Sequence, residues 1–103
     1  LAVTSAQPSL LYPGLPTVAA SGVPGYELVA MYGILAPAKT PAALVTRLNQ
    51  EIVRVLNRAD IKEKYLNVGL EVIAGSPAQL ANAMRTEMNS LGKVIKDAGI
   101  RAD

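Results

Sequence analysis

The chain has no histidine, cysteine, tryptophan or phenylalanine among its 103 residues, and only four tyrosines. Each absence excludes something. Without cysteine there is no disulfide and no thiolate nucleophile. Without histidine as well, an ordinary zinc site has no nitrogen or sulfur ligands to draw on. Lack of cysteine suits cytoplasm and periplasm alike. A Ser-His-Asp triad has no base, and no Ser-x-x-Lys pair replaces it. The carboxylates Glu27, Glu51, Glu63, Glu71 and Glu87 stand singly rather than in pairs. There is no Gly-x-Gly-x-x-Gly and no phosphate-binding loop. Neither an enzyme, a cofactor nor a metal is therefore expected. No apolar run approaches the ~18 residues of a membrane span, and no secretory leader is visible. The net charge is +2 and its charges are scattered. A nucleic-acid partner would call for lysine and arginine gathered on one face.

Apolar residues make up 50% of the chain, so any core is built from Leu, Val, Ile, Ala and Met. A chain of this length allows one small domain, which buries less than about 70% of its unfolded surface. The stretch Gly25-Tyr-Glu-Leu-Val-Ala-Met-Tyr-Gly-Ile-Leu-Ala-Pro37 organises the rest. It is apolar apart from Glu27, has no helical stripe, and is fenced by Gly and Pro. Such a run reads as a strand buried on both faces inside an α/β sheet. Gly33 at its middle fits a bend or the close approach of a ligand or another backbone.

Before it, Leu1–Thr4 reads as a short strand. Residues 5–25 form a long Pro/Gly/Ser-rich loop, with one helical turn at Pro16–Ser21 that Thr17 caps only weakly. After it, Thr40 as N-cap and Pro41 at the first position open a helix. Leu44, Leu48, Ile52, Val55 and Leu56 form its buried stripe, and the basic face opposite is solvated. Asp60-Ile-Lys-Glu63 has the form of a capping box for a second helix, which Gly69 ends as a left-handed residue. Leu70–Ala74 reads as a brief strand. Ser76-Pro-Ala-Gln79 is a cleaner capping box. It opens a helix to about Ala98, with Leu80, Met84, Met88, Leu91, Ile95 and Ala98 on its buried stripe. The few strands and three helices make a partial α/β unit. The chain opens directly on Leu1 in a strand-like segment, and we read it as a piece of a longer protein.

Certain segments form an ordered series. They are Leu1-Ala-Val-Thr-Ser-Ala6, Pro16-Thr-Val-Ala-Ala-Ser-Gly-Val-Pro-Gly-Tyr-Glu27 and Tyr32-Gly-Ile-Leu-Ala-Pro-Ala-Lys-Thr-Pro41. Leu48-Asn-Gln-Glu-Ile52, Gly69-Leu-Glu71, Gly75-Ser-Pro77 and Lys93-Val-Ile-Lys-Asp-Ala-Gly-Ile100 continue it. Nearly the whole chain resembles the C-terminal part of the Bug-type periplasmic solute-binding proteins of tripartite tricarboxylate transporters. The resemblance implies part of one lobe of a two-lobed, type II periplasmic binding protein. Residues 1–25 would end the second lobe and lead to the hinge. Residues 26–103 would be the C-terminal part of the first lobe. It also implies a small organic acid as ligand, a membrane permease as partner and a periplasmic location. The carboxylate-gripping loops of the family lie outside this chain. Met31, Tyr32 and Gly33 are the candidate ligand-binding residues, where the crossing strand would pass the cleft. Many relatives carry an aromatic residue at the position of Met31, so the cleft wall differs here.

A second reading treats the isolated chain as a non-binding structural module. The unpaired edge of the central strand would then join copies into a homo-oligomer. The loop at 5–25 would serve as a swapping arm carrying Leu1–Thr4 to a partner.

Overall fold

Ser76 and Gln79 set where the longest helix begins. In the computed structural model, which describes residues 1–101, Ser76 Oγ accepts from Gln79 N at 3.2 Å. Gln79 Oε1 reciprocally accepts from Ser76 N at 2.7 Å. With Pro77 at the first position, this is the complete capping box that the sequence predicts. Helices α1 (Ala42–Leu56), α2 (Ala59–Asn67) and α3 (Pro77–Asp97) follow in chain order. Two of them end in the same way. Gly69 has φ 82°, its N–H donates to Leu66 O, and Leu70 N reaches Tyr65 O at 2.9 Å. After α3, Gly99 has φ 66° and Ile100 N reaches Ile95 O at 3.0 Å. Both are Schellman closures, and both need a residue at ease with positive φ.

Two caps differ from expectation. Pro41, not Thr40, holds the N-cap position of α1, and no side chain caps it. Thr40 Oγ1 donates instead to Pro37 O at 2.8 Å, binding the turn behind it. Helix α2 begins after Arg58, and Asp60 lies in its first turn rather than at its cap. Arg58 Nε and Nη2 donate to the two oxygens of Asp60 at 3.0 and 2.9 Å. A forked, charge-assisted pair of this kind outcompetes one backbone amide for the carboxylate. The Arg58 guanidinium also holds the Asp60 carboxyl below its usual range. The stability linked to this lowering is present above the ordinary carboxylate value and is lost as pH falls from there through the lowered value.

The three expected strands are corrected. Among the described residues no strand ladder forms; the sole sheet-like contact is an isolated parallel bridge between Val3 and Thr17. Val3 N donates to Pro16 O and Val18 N to Val3 O, both at 2.9 Å. The central segment at 26–36 meets this unit once, through Leu28 N to Thr4 O at 2.9 Å. Segment 70–74 also runs without a strand, and Ala74 closes it in a left-handed conformation at φ 51°. The described residues are thus three helices and irregular chain, not the α/β arrangement of few strands with three helices. A strand exists only through its neighbour's hydrogen bonds, and the described residues supply no second strand beside 26–36.

Burial follows from the same shortage. Among the described residues no apolar side chain is buried. The central segment, expected to be covered on both faces, leaves Tyr32 80% and Ile34 74% exposed. The helix stripes are likewise open: Leu44, Leu48, Met84, Met88, Leu91 and Ile95 are exposed, while Ile52, Leu56 and Leu80 are half-buried. The radius of gyration is 16.6 Å, against about 13 Å for a compact domain of this length.

Thr17 is the exception, at 6% exposure. Its Oγ1 accepts from Ala20 N at 3.0 Å, and its carbonyl accepts from Ser21 N and Ser21 Oγ. It caps the short turn that the sequence places at 16–21, with a full hydrogen bond.

Replacing Ser76 with Ala strands an amide at the start of α3 and is expected to cost about 0.5–2 kcal/mol. A denaturant midpoint equal to wild type would show that Ser76 does not cap the helix.

Candidate functional site

Side chains alternate along the central segment, and this divides the three candidate residues. Met31, Gly33 and Leu35 line a hollow of about 220 Å³ against α3, whose Leu80, Met84 and Glu87 complete it. Tyr32 does not line this hollow, and it stands 80% exposed. Met31 and Gly33 are therefore brought together, and Tyr32 belongs to the opposite surface.

Gly33 explains how α3 comes so close. A Cβ built on it would lie 3.0 Å from Leu80 Cδ2 and 3.2 Å from Cδ1. Neither a ligand nor another backbone makes this approach; the neighbour is the Leu80 side chain, from the first turn of α3. That helix is in turn set by its capping box, which fixes the height at which Leu80 meets the segment. Asn49 Nδ2 donates to Gly75 O at 3.0 Å, tying α1 to the chain just before α3.

The hollow is lined by apolar side chains with a single carboxylate, Glu87. No lysine or arginine lines it. The lining therefore offers an organic anion no cationic side chain. The hollow has the chemistry of a seam between a helix and an extended segment. Sequence reasoning missed Leu80, Met84 and Glu87 as its other wall. Their i, i+4 and i+7 spacing from Leu80 marks a shared face of α3, but not what that face meets. Among the described residues no cluster of histidine, cysteine or carboxylate side chains could hold a metal ion, and no helix is long and apolar enough to cross a membrane.

Against known families, residues 1–100 match the tripartite tricarboxylate transporter family receptor. The chain belongs to this receptor family. A "UPF0065 protein in tcbD-tcbE intergenic region" of Pseudomonas sp. strain P51 is 34% identical over 104 residues, which cover 100% of this chain and 31% of that protein. "Protein BugT" of Bordetella pertussis is 24% identical over 101 residues, covering 98% of this chain and 31% of its own length. Among solved structures, "R. palustris Rpa4515 with adipate" superposes with a TM-score of 0.76 at 36% identity. It covers 96% of this chain and 33% of the other. The chain thus spans about a third of the length of these receptor-family relatives.

Gly33→Ala asks Leu80 to yield by a few tenths of an ångström, which a half-buried leucine does. It should stay within about 1 kcal/mol of wild type, since the loss of chain freedom offsets the crowding. Gly33→Val overpacks the seam and should cost about 1–3 kcal/mol. Equal urea midpoints for all three proteins would show that Leu80 is not seated on Gly33.

Proposed function

We propose that this chain is part of an extracytoplasmic solute receptor, one that binds a small organic acid in the periplasm and passes it to the membrane permease of a tripartite tricarboxylate transporter. The observation that carries the reading is the adipate-bound structure. A protein that binds a dicarboxylate contains a third of its length similar to 96% of this chain, at 36% identity. The lining of the hollow fits a division of labour. With Glu87 on the α3 side and no cation opposite, the groups that grip the carboxylate belong to parts of the receptor beyond these residues. Residues 1–25 would end the second lobe, and 26–103 would complete the first. Upstream strands would then supply the ladder partners that 26–36 lacks here and give the lobe its α/β character.

Within this reading Met31, Tyr32 and Gly33 keep distinct roles. Met31 and Gly33 seat the segment on α3. Tyr32, with an exposed phenol at the end of an apolar ring, is the member available to a ligand.

A specific observation favours a second reading for the chain by itself. No apolar side chain among the described residues is buried, and Tyr32, Ile34 and Leu35 are each at least 70% exposed. Apolar surface on that scale marks a face that another polypeptide covers. Taken alone, the chain would then be a structural module that associates with copies of itself.

Calorimetric titration of the receptor carrying these residues separates the classes. Adipate should bind saturably, and a neutral six-carbon diol should bind at least tenfold more weakly, because ionised acceptors make the stronger hydrogen bonds. Equal heats for the two compounds would overturn the receptor reading. In the same titration Tyr32→Ala should weaken adipate binding, and unchanged affinity in a folded variant would remove Tyr32 from the site.

A further inference from the structure

Gly69-Leu-Glu71 is one part of the family pattern that lies outside both the seam and the proposed cleft. Glu71 is exposed and lies just beyond α2, in a segment without regular structure. Its Oε1 accepts from Ser9 Oγ and, at 3.1 Å, from Leu10 N. Ser9 Oγ in turn accepts from Leu11 N at 3.1 Å. One carboxylate oxygen thus organises three consecutive residues, the first of them 62 positions away. Glu71 takes part in neither ion pair found among the described residues. Between residues 1–25 and 37–101, every hydrogen bond found among the described residues ends on this carboxylate.

We propose that Glu71 is a clasp, a positioning residue that holds the Ser9–Leu11 loop against the helical half of the chain. On the receptor reading, on which this second clause rests, the clasp joins the end of one lobe to the body of the other and restrains their relative movement. The chemistry suits the role. An ionised oxygen accepting from a hydroxyl and an amide makes stronger bonds than a neutral acceptor would. Its exposure leaves it free to release without leaving a buried charge behind.

Amide hydrogen exchange on the full chain tests the clasp without any ligand. Glu71→Ala should speed exchange at Leu10 and Leu11 by about tenfold or more, the scale of a lost charge-assisted bond, while amides inside α1 and α3 keep their rates. Glu71→Gln, which keeps an acceptor of the same reach, should fall between. Ser9→Ala should speed exchange at Leu11, whose amide donates to Ser9 Oγ, and there the double variant should add little to either single change. Unchanged exchange at Leu10 and Leu11 in Glu71→Ala overturns the clasp. If Glu71→Ala loosens the helices as well, Glu71→Gln decides, and wild-type rates at both Leu10 and Leu11 in it overturn the proposal. Adipate titration of Glu71→Ala in the receptor then tests the second clause. A shifted affinity with wild-type helix exchange supports restraint between lobes, and an unshifted one removes that clause. Because exchange needs no ligand, failure of the clasp is distinguishable from failure of the receptor reading.

Discussion

A strand exists only where a neighbour answers its backbone N–H and C=O groups, and among the described residues the run from Tyr26 to Ala36 has no such neighbour. Leu28 N finds Thr4 O; no neighbouring strand meets the rest. With no ladder there is no sheet, and with no sheet there is no flat layer for the stripes of α1 and α3 to cover. The open radius of gyration and the exposed apolar faces are consequences of this one deficit rather than separate properties. What order the segment does have comes from the side, where Leu80 descends onto Gly33.

The remainder is held by polar contacts of short range. Val3 pairs with the backbone on either side of Thr17, and Thr17 is enclosed by its own turn. The helices begin and end on signals within a few residues of their termini. Such contacts specify local geometry well, but each contributes only about 0.5–1.5 kcal/mol net. They do not replace the apolar burial that dominates the stability of a domain. Membership of a receptor family whose relatives are about three times as long accords with that balance.

How much of this was legible in the sequence depended on the range of the interaction. Ser76, Pro77 and Gln79 announce α3, and Gly69 and Gly99 announce helix ends, because the groups involved lie within one turn of each other. The cap of α2 was misread because Arg58, two residues from Asp60, competes for the same carboxylate, and a pattern of spacings does not rank competitors. The strands were misread for a different reason. β-rich composition at 26–36 and 70–74 records what a segment can do when a neighbour is present, and the neighbour is not encoded in the segment. At Gly33 the sequence suggests a bend or the approach of a ligand or another backbone, and the neighbour is instead a side chain. The partner that approaches, Leu80, lies 47 positions on, and nothing local to Gly33 names it. Met31 and Tyr32, adjacent in the sequence, part to opposite faces of the extended chain.

That parting gives Gly33 a further consequence. In an extended segment, a slip of one residue exchanges the two faces completely. It would turn Tyr32 and Ile34 toward α3 and expel Met31 and Leu35. The shifted arrangement would place a side chain where Leu80 now rests, at a separation that real Cβ atoms seldom tolerate. Gly33 is the one residue of 26–36 without a side chain, so the present alignment seats Leu80 with the least displacement. The glycine that weakens the segment as a strand thus acts as its register pin, deciding which face of the chain is turned outward.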